Sequence, residues 1–236
     1  MYGEENGSLD KLEYSITPWP TNGLPATLAH RTRRVYDRMA AFYPLSTMFF
    51  HSRAHRCALE ASGIQDGMRV LEVATGSGEM FRRILRVNPN GANVGVDLSP
   101  NMASRTQRRA RQDFPSSLAF CQAVDARQMP FRDQTFDAVV CCYLLELLSA
   151  EDIVRTVAEL HRVLRRSGRL ALTLIGQNTA VFNRLYRMGG KVAPAFWGRQ
   201  VEQSIPDVIR AANFRILQDR VVRQSGYPSR VLVAGK

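Results

Sequence analysis

Three carboxylates and one turn of small residues are the groups in this 236-residue chain best suited to grip a small ligand. Glu72 lies near the end of an apolar run, Asp97 closes another 25 residues later, and Asp125 follows a third. Between the first two lies Ala74-Thr75-Gly76-Ser77-Gly78, too small to fill a core and permissive of close backbone approach. A ligand should lie against this turn. The helix that follows turns its first free amides toward that ligand and favours a carboxylate or phosphate there.

Two nucleotide chemistries suit such a turn, a dinucleotide or S-adenosylmethionine. The dinucleotide fingerprint Gly-x-Gly-x-x-Gly needs a third glycine where this chain has Phe81. Val70-Leu71-Glu72-Val73-Ala74-Thr75-Gly76-Ser77-Gly78 instead resembles the first motif of class I S-adenosylmethionine-dependent methyltransferases, Asp/Glu-x-Gly-x-Gly-x-Gly, with Ala74 in place of the first glycine. Asp97 stands at the end of the next apolar run, where a carboxylate's two oxygens can accept both ribose hydroxyls. Ser99 as a cap and Pro100 at the first helical position offer Asp97 a competing turn role.

The resemblance implies further roles. Asp125-Ala126 would read adenine, the carboxylate accepting from the exocyclic amine and the next amide donating to the ring. Leu98 and Met102 beside Asp97, and Cys142 and Tyr143 after the fourth apolar run, join the expected cofactor contacts. Tyr36-Asp37-Arg38-Met39-Ala40-Ala41-Phe42-Tyr43 is similar to a segment of ubiquinone- and menaquinone-type enzymes whose tyrosines, here Tyr36 and Tyr43, help cover the cofactor. Glu146, Tyr186, Phe196 and Trp197 are the expected acceptor-side residues. Cys141-Cys142-Tyr143-Leu144 lacks the prolines with which amino-directed nucleic-acid methyltransferases hold a flipped base. No catalytic residue has a motif behind it; His51, His55 and Glu146 could serve as a base.

These residues need an alternating frame to hold them. Apolar runs at 68–73, 93–96, 118–123, 135–142, 169–175, 214–222 and 229–234 read as strands, the last antiparallel, separated by helical patterns at 78–87, 101–113, 151–164 and 207–213. Residues 165–168 read as the exit of the helix at 151–164. This predicts an α/β fold: a doubly wound, mostly parallel seven-stranded sheet with an N-terminal helical extension. Residues 1–62 are the expected arm and extension, 63–236 the cofactor-binding domain, and 178–206 an inserted acceptor-side segment with an apolar, aromatic face.

Composition sets the remaining bounds. The net charge is +11, carried by 29 arginines and three lysines scattered over several helices, so no single basic stripe forms and no nucleic-acid partner is expected. Contact with an anionic membrane stays open. Four cysteines without Cys-x-x-Cys spacing predict reduced thiols, a cytoplasmic setting and no metal site. The expected function is methyl transfer from S-adenosylmethionine, leaving S-adenosylhomocysteine, to a small apolar acceptor: a quinone precursor, a polyketide-like metabolite or a lipid headgroup. A nicotinamide-dependent oxidoreductase, or a non-catalytic cofactor- or nucleic-acid-binding protein, is the alternative.

Overall fold

The computed structural model describes residues 52–176, 201–224 and 228–236. Its elements in chain order are α1 (Ser52–Ser62), β1 (Arg69–Val73), α2 (Glu79–Val87), β2 (Ala92–Asp97), α3 (Pro100–Asp113), β3 (Leu118–Ala123) and β4 (Phe136–Cys142). A 3-10 turn (Leu145–Leu147), α4 (Ala150–Val163), β5 (Leu164–Ile175), α5 (Ile205–Ala211), β6 (Arg215–Val222) and β7 (Ser229–Gly235) follow.

The strands form one seven-stranded sheet in the order β3-β2-β1-β4-β5-β7-β6. All pairings are parallel except those of β7, which runs antiparallel to both β5 and β6. The chain winds outward from β1 to β3 and then returns to lay β4 on the other side of β1. The direction of winding therefore reverses between β1 and β4, and a crevice opens at their carboxyl ends.

Both faces of the sheet are covered. Leu71, Val73, Val139, Cys141, Leu170 and Leu172 point into a core shared with Ile153, Val157 and Leu160 of α4 and Ile209 of α5. On the opposite face Val70, Ala138, Val140, Ala171, Val231 and Val233 pack on Ala54 and Ala58 of α1 and on Met80 and Ile84 of α2. Burial on both faces explains why the central strands read as continuous apolar runs. α2 buries Met80, Phe81, Ile84 and Leu85, one stripe at helical spacing.

Helix ends follow local chemistry. The Ser99 hydroxyl accepts from the Met102 amide at 3.3 Å, with Pro100 in the first turn, and the Ser149 hydroxyl accepts from the Asp152 amide at 3.1 Å. α5 is closed off just beyond its end by Asn213, whose φ of 64° supports a bond from the Phe214 amide back to the Ile209 carbonyl at 3.1 Å.

One local expectation is corrected. Residues 165–168 do not form a helix exit; they belong to β5, bulged so that Leu164 pairs with Phe136 while Arg169 pairs with Ala138. Arg165 bonds Asp137, and a Cβ on Gly168 would stand 2.9 Å from the Asp137 carbonyl, so the bulge seats the strand against β4. The turn at 88–91 is anchored from inside. Asn88 is fully buried; its amide donates to the Met68 carbonyl at 2.9 Å and to Asn93 Oδ1 at 2.8 Å, tying β1 to β2 at their amino ends.

Candidate functional site

At the carboxyl ends of β1, β2, β3 and β4 the chain encloses a cavity. Glu72, Ala74, Thr75, Gly76, Ser77, Asp97, Leu98, Met102, Asp125, Ala126, Cys142 and Tyr143 all line it. Twelve of the residues singled out by sequence thus share one wall-to-wall space, although they span four strands.

The turn after β1 is fastened to the end of β2. The Ala74 and Thr75 amides donate to the Val96 carbonyl at 2.8 and 3.2 Å, and the Gly76 amide donates to Asp97 Oδ2 at 2.8 Å. Asp97 Oδ1 accepts from the Ser99 amide at 2.9 Å. The two readings of Asp97 therefore coexist: the carboxylate clamps both loops and also lines the cavity in which a sugar would lie. Ala74 adopts φ 63°, a left-handed conformation that suits glycine, so the alanine keeps the glycine-type loop under strain. Gly95, opposite the turn, is required for a different reason. A Cβ there would lie 2.7 Å from Thr75 Cγ2 and 2.8 Å from the Cys121 sulfur.

Gly78 departs from its expected role. It is not part of the cavity lining; it caps α2 at φ 80° and lets Thr106 of α3 approach, with an added Cβ only 3.0 Å from Thr106 Oγ1. Its absent side chain serves helix packing.

Two carboxyl groups on the cavity wall act on one another. Glu72 is buried, and that burial, reinforced by the Asp97 carboxylate, raises its pKa well above the usual carboxylate range, so that a nearby cation would favour its ionised form. Glu72 Oε2 and Thr75 Oγ1 are buried without hydrogen-bond partners. Orphaned polar atoms on a cavity wall are what a polar ligand would satisfy. A ligand with an ammonium or sulfonium group and a ribose fits this donor and acceptor set.

Asp125 stands at the far wall with a partner that sequence reasoning missed. Arg127 forks onto it, Nε 2.9 Å from Oδ1 and Nη2 2.6 Å from Oδ2, and Arg127 Nη1 lies 3.2 Å from Asp152 Oδ1. Burial alone would raise the Asp125 carboxyl, but the bonds from Arg127 outweigh it and hold it below the usual carboxylate value. No motif marks Arg127 or Asp152; only the fold brings α4 to the loop after β3.

Tyr143 also carries a left-handed backbone, φ 56°, where β4 ends. Its hydroxyl is 2.7 Å from Ser229 Oγ, Gln224 Nε2 donates to that Oγ at 2.8 Å, and its ring lies 5.9 Å from that of His55. Strain of this kind clusters where a site over-determines its side chains.

Of the three proton-acceptor candidates, His55 lines the cavity. Glu146 does not: its buried Oε1 accepts from the Ile175 amide at 2.6 Å, securing the end of β5, and its Oε2 has no hydrogen-bond partner. Burial raises Glu146 to about 7, against the backbone bonds that lower it, with Glu202 adding to the rise. His51, Tyr36, Tyr43, Tyr186, Phe196 and Trp197 lie outside the described residues. Among the described residues no cluster of three or more potential ligands is placed to hold a metal, and no helix is long and apolar enough to cross a membrane.

A family model described as "Methyltransferase domain" matches residues 70–168. The 2-phytyl-1,4-naphtoquinone methyltransferase of Nostoc sp. is 29% identical over 150 residues, 61% of this chain and 65% of that protein. That match thus spans just under two thirds of the relative's length. The ubiquinone/menaquinone biosynthesis C-methyltransferase of Citrifermentans bemidjiense is 26% identical over 208 residues, covering 84% of this chain and 88% of the relative. Among solved structures, the Burkholderia thailandensis 1,6-didemethyltoxoflavin-N1-methyltransferase with bound 1,6-didemethyltoxoflavin and S-adenosylhomocysteine superposes with a TM-score of 0.65. It is 16% identical, covering 92% of this chain and 93% of that one, a likeness of fold.

Proposed function

The chain belongs to the class I S-adenosylmethionine-dependent methyltransferases, and from that premise we propose that it methylates a small, apolar acceptor such as a quinone precursor, a polyketide-like metabolite or a lipid headgroup. The observation that carries this reading is the convergence of Glu72, the 74–77 turn, Asp97 and Asp125 on one cavity whose wall holds unsatisfied buried oxygens. The quinone methyltransferases among the relatives support the acceptor class.

When bound, S-adenosylmethionine supplies a sulfonium-activated methyl group, so the protein's task is mainly alignment and exclusion of water. Asp97 would hold the ribose through its carboxylate oxygens. Glu72, with Asp97 beside it, would compensate the cofactor's positive charge, and the 74–77 backbone would run along its amino-acid end. Tyr143 and His55 close the cavity beside Cys142. His55 is the described side chain we assign to receive a proton from a carbon or hydroxyl acceptor. The helical extension to residue 62 and the segment 178–206 complete the acceptor side in this proposal.

Calorimetry with S-adenosylhomocysteine, followed by a radiolabelled-methyl screen of a cell extract extracted into organic solvent, tests the reading. Label in an apolar small molecule supports it. Label only in RNA or protein contradicts it. The surplus of arginine adds a contact with anionic membrane to the proposal, in a cytoplasmic setting; salt-insensitive or absent binding to anionic vesicles removes that part.

A further inference from the structure

Asp125 is the acid expected to accept from the purine's exocyclic amine, yet most of its acceptor capacity is already taken. A carboxylate offers about four lone-pair positions. Three N–H groups of Arg127 occupy most of them: its backbone amide donates to Oδ1 at 2.9 Å, Nε to Oδ1 at 2.9 Å with a longer approach to Oδ2 at 3.1 Å, and Nη2 to Oδ2 at 2.6 Å. The pair is mostly shielded, with side-chain exposures of 19% for Arg127 and 18% for Asp125, so water does not compete freely for it. Both residues line the cavity.

A second station stands beside the first. Asp152, in the first turn of α4 and also on the cavity wall, lies 3.2 Å from Arg127 Nη1. A guanidinium that leaves Asp125 meets this carboxylate at once, and its charge stays neutralised throughout.

We propose that Arg127 is a positioning residue that masks the purine-reading carboxylate in the ligand-free chain, and that cofactor binding moves its side chain from Asp125 to Asp152. This rests on the proposed cofactor and goes beyond it, because it assigns a cost of entry and a selectivity. The masked state lowers apparent affinity by the fraction of molecules in which Asp125 is free. Selectivity follows because only a purine bearing an amine offers Asp125 a donor in exchange for the arginine.

The test is titration calorimetry on the full chain with S-adenosylhomocysteine and with S-inosylhomocysteine, in which a carbonyl replaces the amine. Arg127→Met is expected to bind S-adenosylhomocysteine about tenfold more tightly, as removal of a mask open in roughly one molecule in ten would give. Asp152→Asn, which removes the second station, is expected to weaken binding, and the inosine analogue to bind wild type more weakly than the adenosine compound. Arg127→Lys keeps the charge but loses the fork, and its smaller gain covers the case in which the methionine variant does not fold. Unchanged or weaker binding by the Arg127 variants overturns the proposal, as does equal binding of the two ligands by wild type, which would mean that Asp125 does not accept from the amine, or tighter binding of the inosine analogue, which would mean that Arg127 stays in place and donates to its carbonyl. Failure of wild type to bind either ligand instead overturns the cofactor reading.

Discussion

At the scale of single residues, the site holds side chains under tension that solution measurements can detect. Ala74 sits at φ 63°. A left-handed alanine costs roughly 1–2 kcal/mol, while glycine's freedom in the unfolded chain returns about 0.5–1 kcal/mol of the gain from replacing it. Ala74→Gly is expected to stabilise the fold by about 0.5–1 kcal/mol, read as a higher urea midpoint with an unchanged slope. Glu146 gives a pH signature. Its carboxyl is raised from 4.5 to about 7 by burial. A carboxyl raised in the folded state binds protons there that the unfolded chain has released. Its contribution is therefore complete below the unfolded value and lost as pH climbs through the folded one. The shift corresponds to about 3 kcal/mol. Melting temperature should fall between pH 4.5 and 7 in wild type and flatten in Glu146→Gln, which keeps an acceptor for the Ile175 amide. A profile unchanged by the substitution would refute the assignment.

At the scale of elements, the turn after β1 is shaped by β2 as much as by its own residues. Gly95→Ala would drive a methyl into Thr75 and Cys121. Overpacking of this kind costs about 1–3 kcal/mol, and displacement of Thr75 should weaken S-adenosylhomocysteine binding as well. Stability loss without any loss of affinity would mean that the turn does not depend on β2. The strands were legible in the sequence because central strands buried on both faces are apolar throughout, and the cap at Ser99 followed from local chemistry. Features built from distant partners left no periodic trace. Arg127 meets Asp152 across two elements, Gly95 has meaning only through Thr75 and Cys121, and Asn88 looks like a turn asparagine until Asn93 and Met68 surround it. Gly78 matched a motif but serves the α2–α3 contact, because the motif records a small residue and not what its smallness admits.

At the scale of the whole molecule, a sheet whose winding reverses between β1 and β4 delivers residues from four strand ends to one cavity. A ligand that bridges those ends should brace the fold. At a concentration of about 100 times its dissociation constant, S-adenosylhomocysteine should stabilise the native state by about 2.7 kcal/mol. For a chain of this size that raises the melting temperature by about 5–10 °C. NAD should produce no such shift.

The arginine surplus reads differently once partners are visible. Arg162 bonds Glu159 and Asp133 and donates to the Met129 and Phe131 carbonyls, and Arg230 pairs with Asp219. Part of the positive charge thus stitches the molecule together.

The central claim is that the cofactor lies across the carboxyl ends of β1, β2 and β3, its sugar on Asp97. A crystal structure of the complex with S-adenosylhomocysteine tests it most directly. Both ribose hydroxyls should donate to the Asp97 carboxylate, with the amino-acid end along residues 74–77 and the purine beside Asp125. Electron density that places the sugar elsewhere, or leaves the cavity to solvent while the ligand binds another face, would contradict the account.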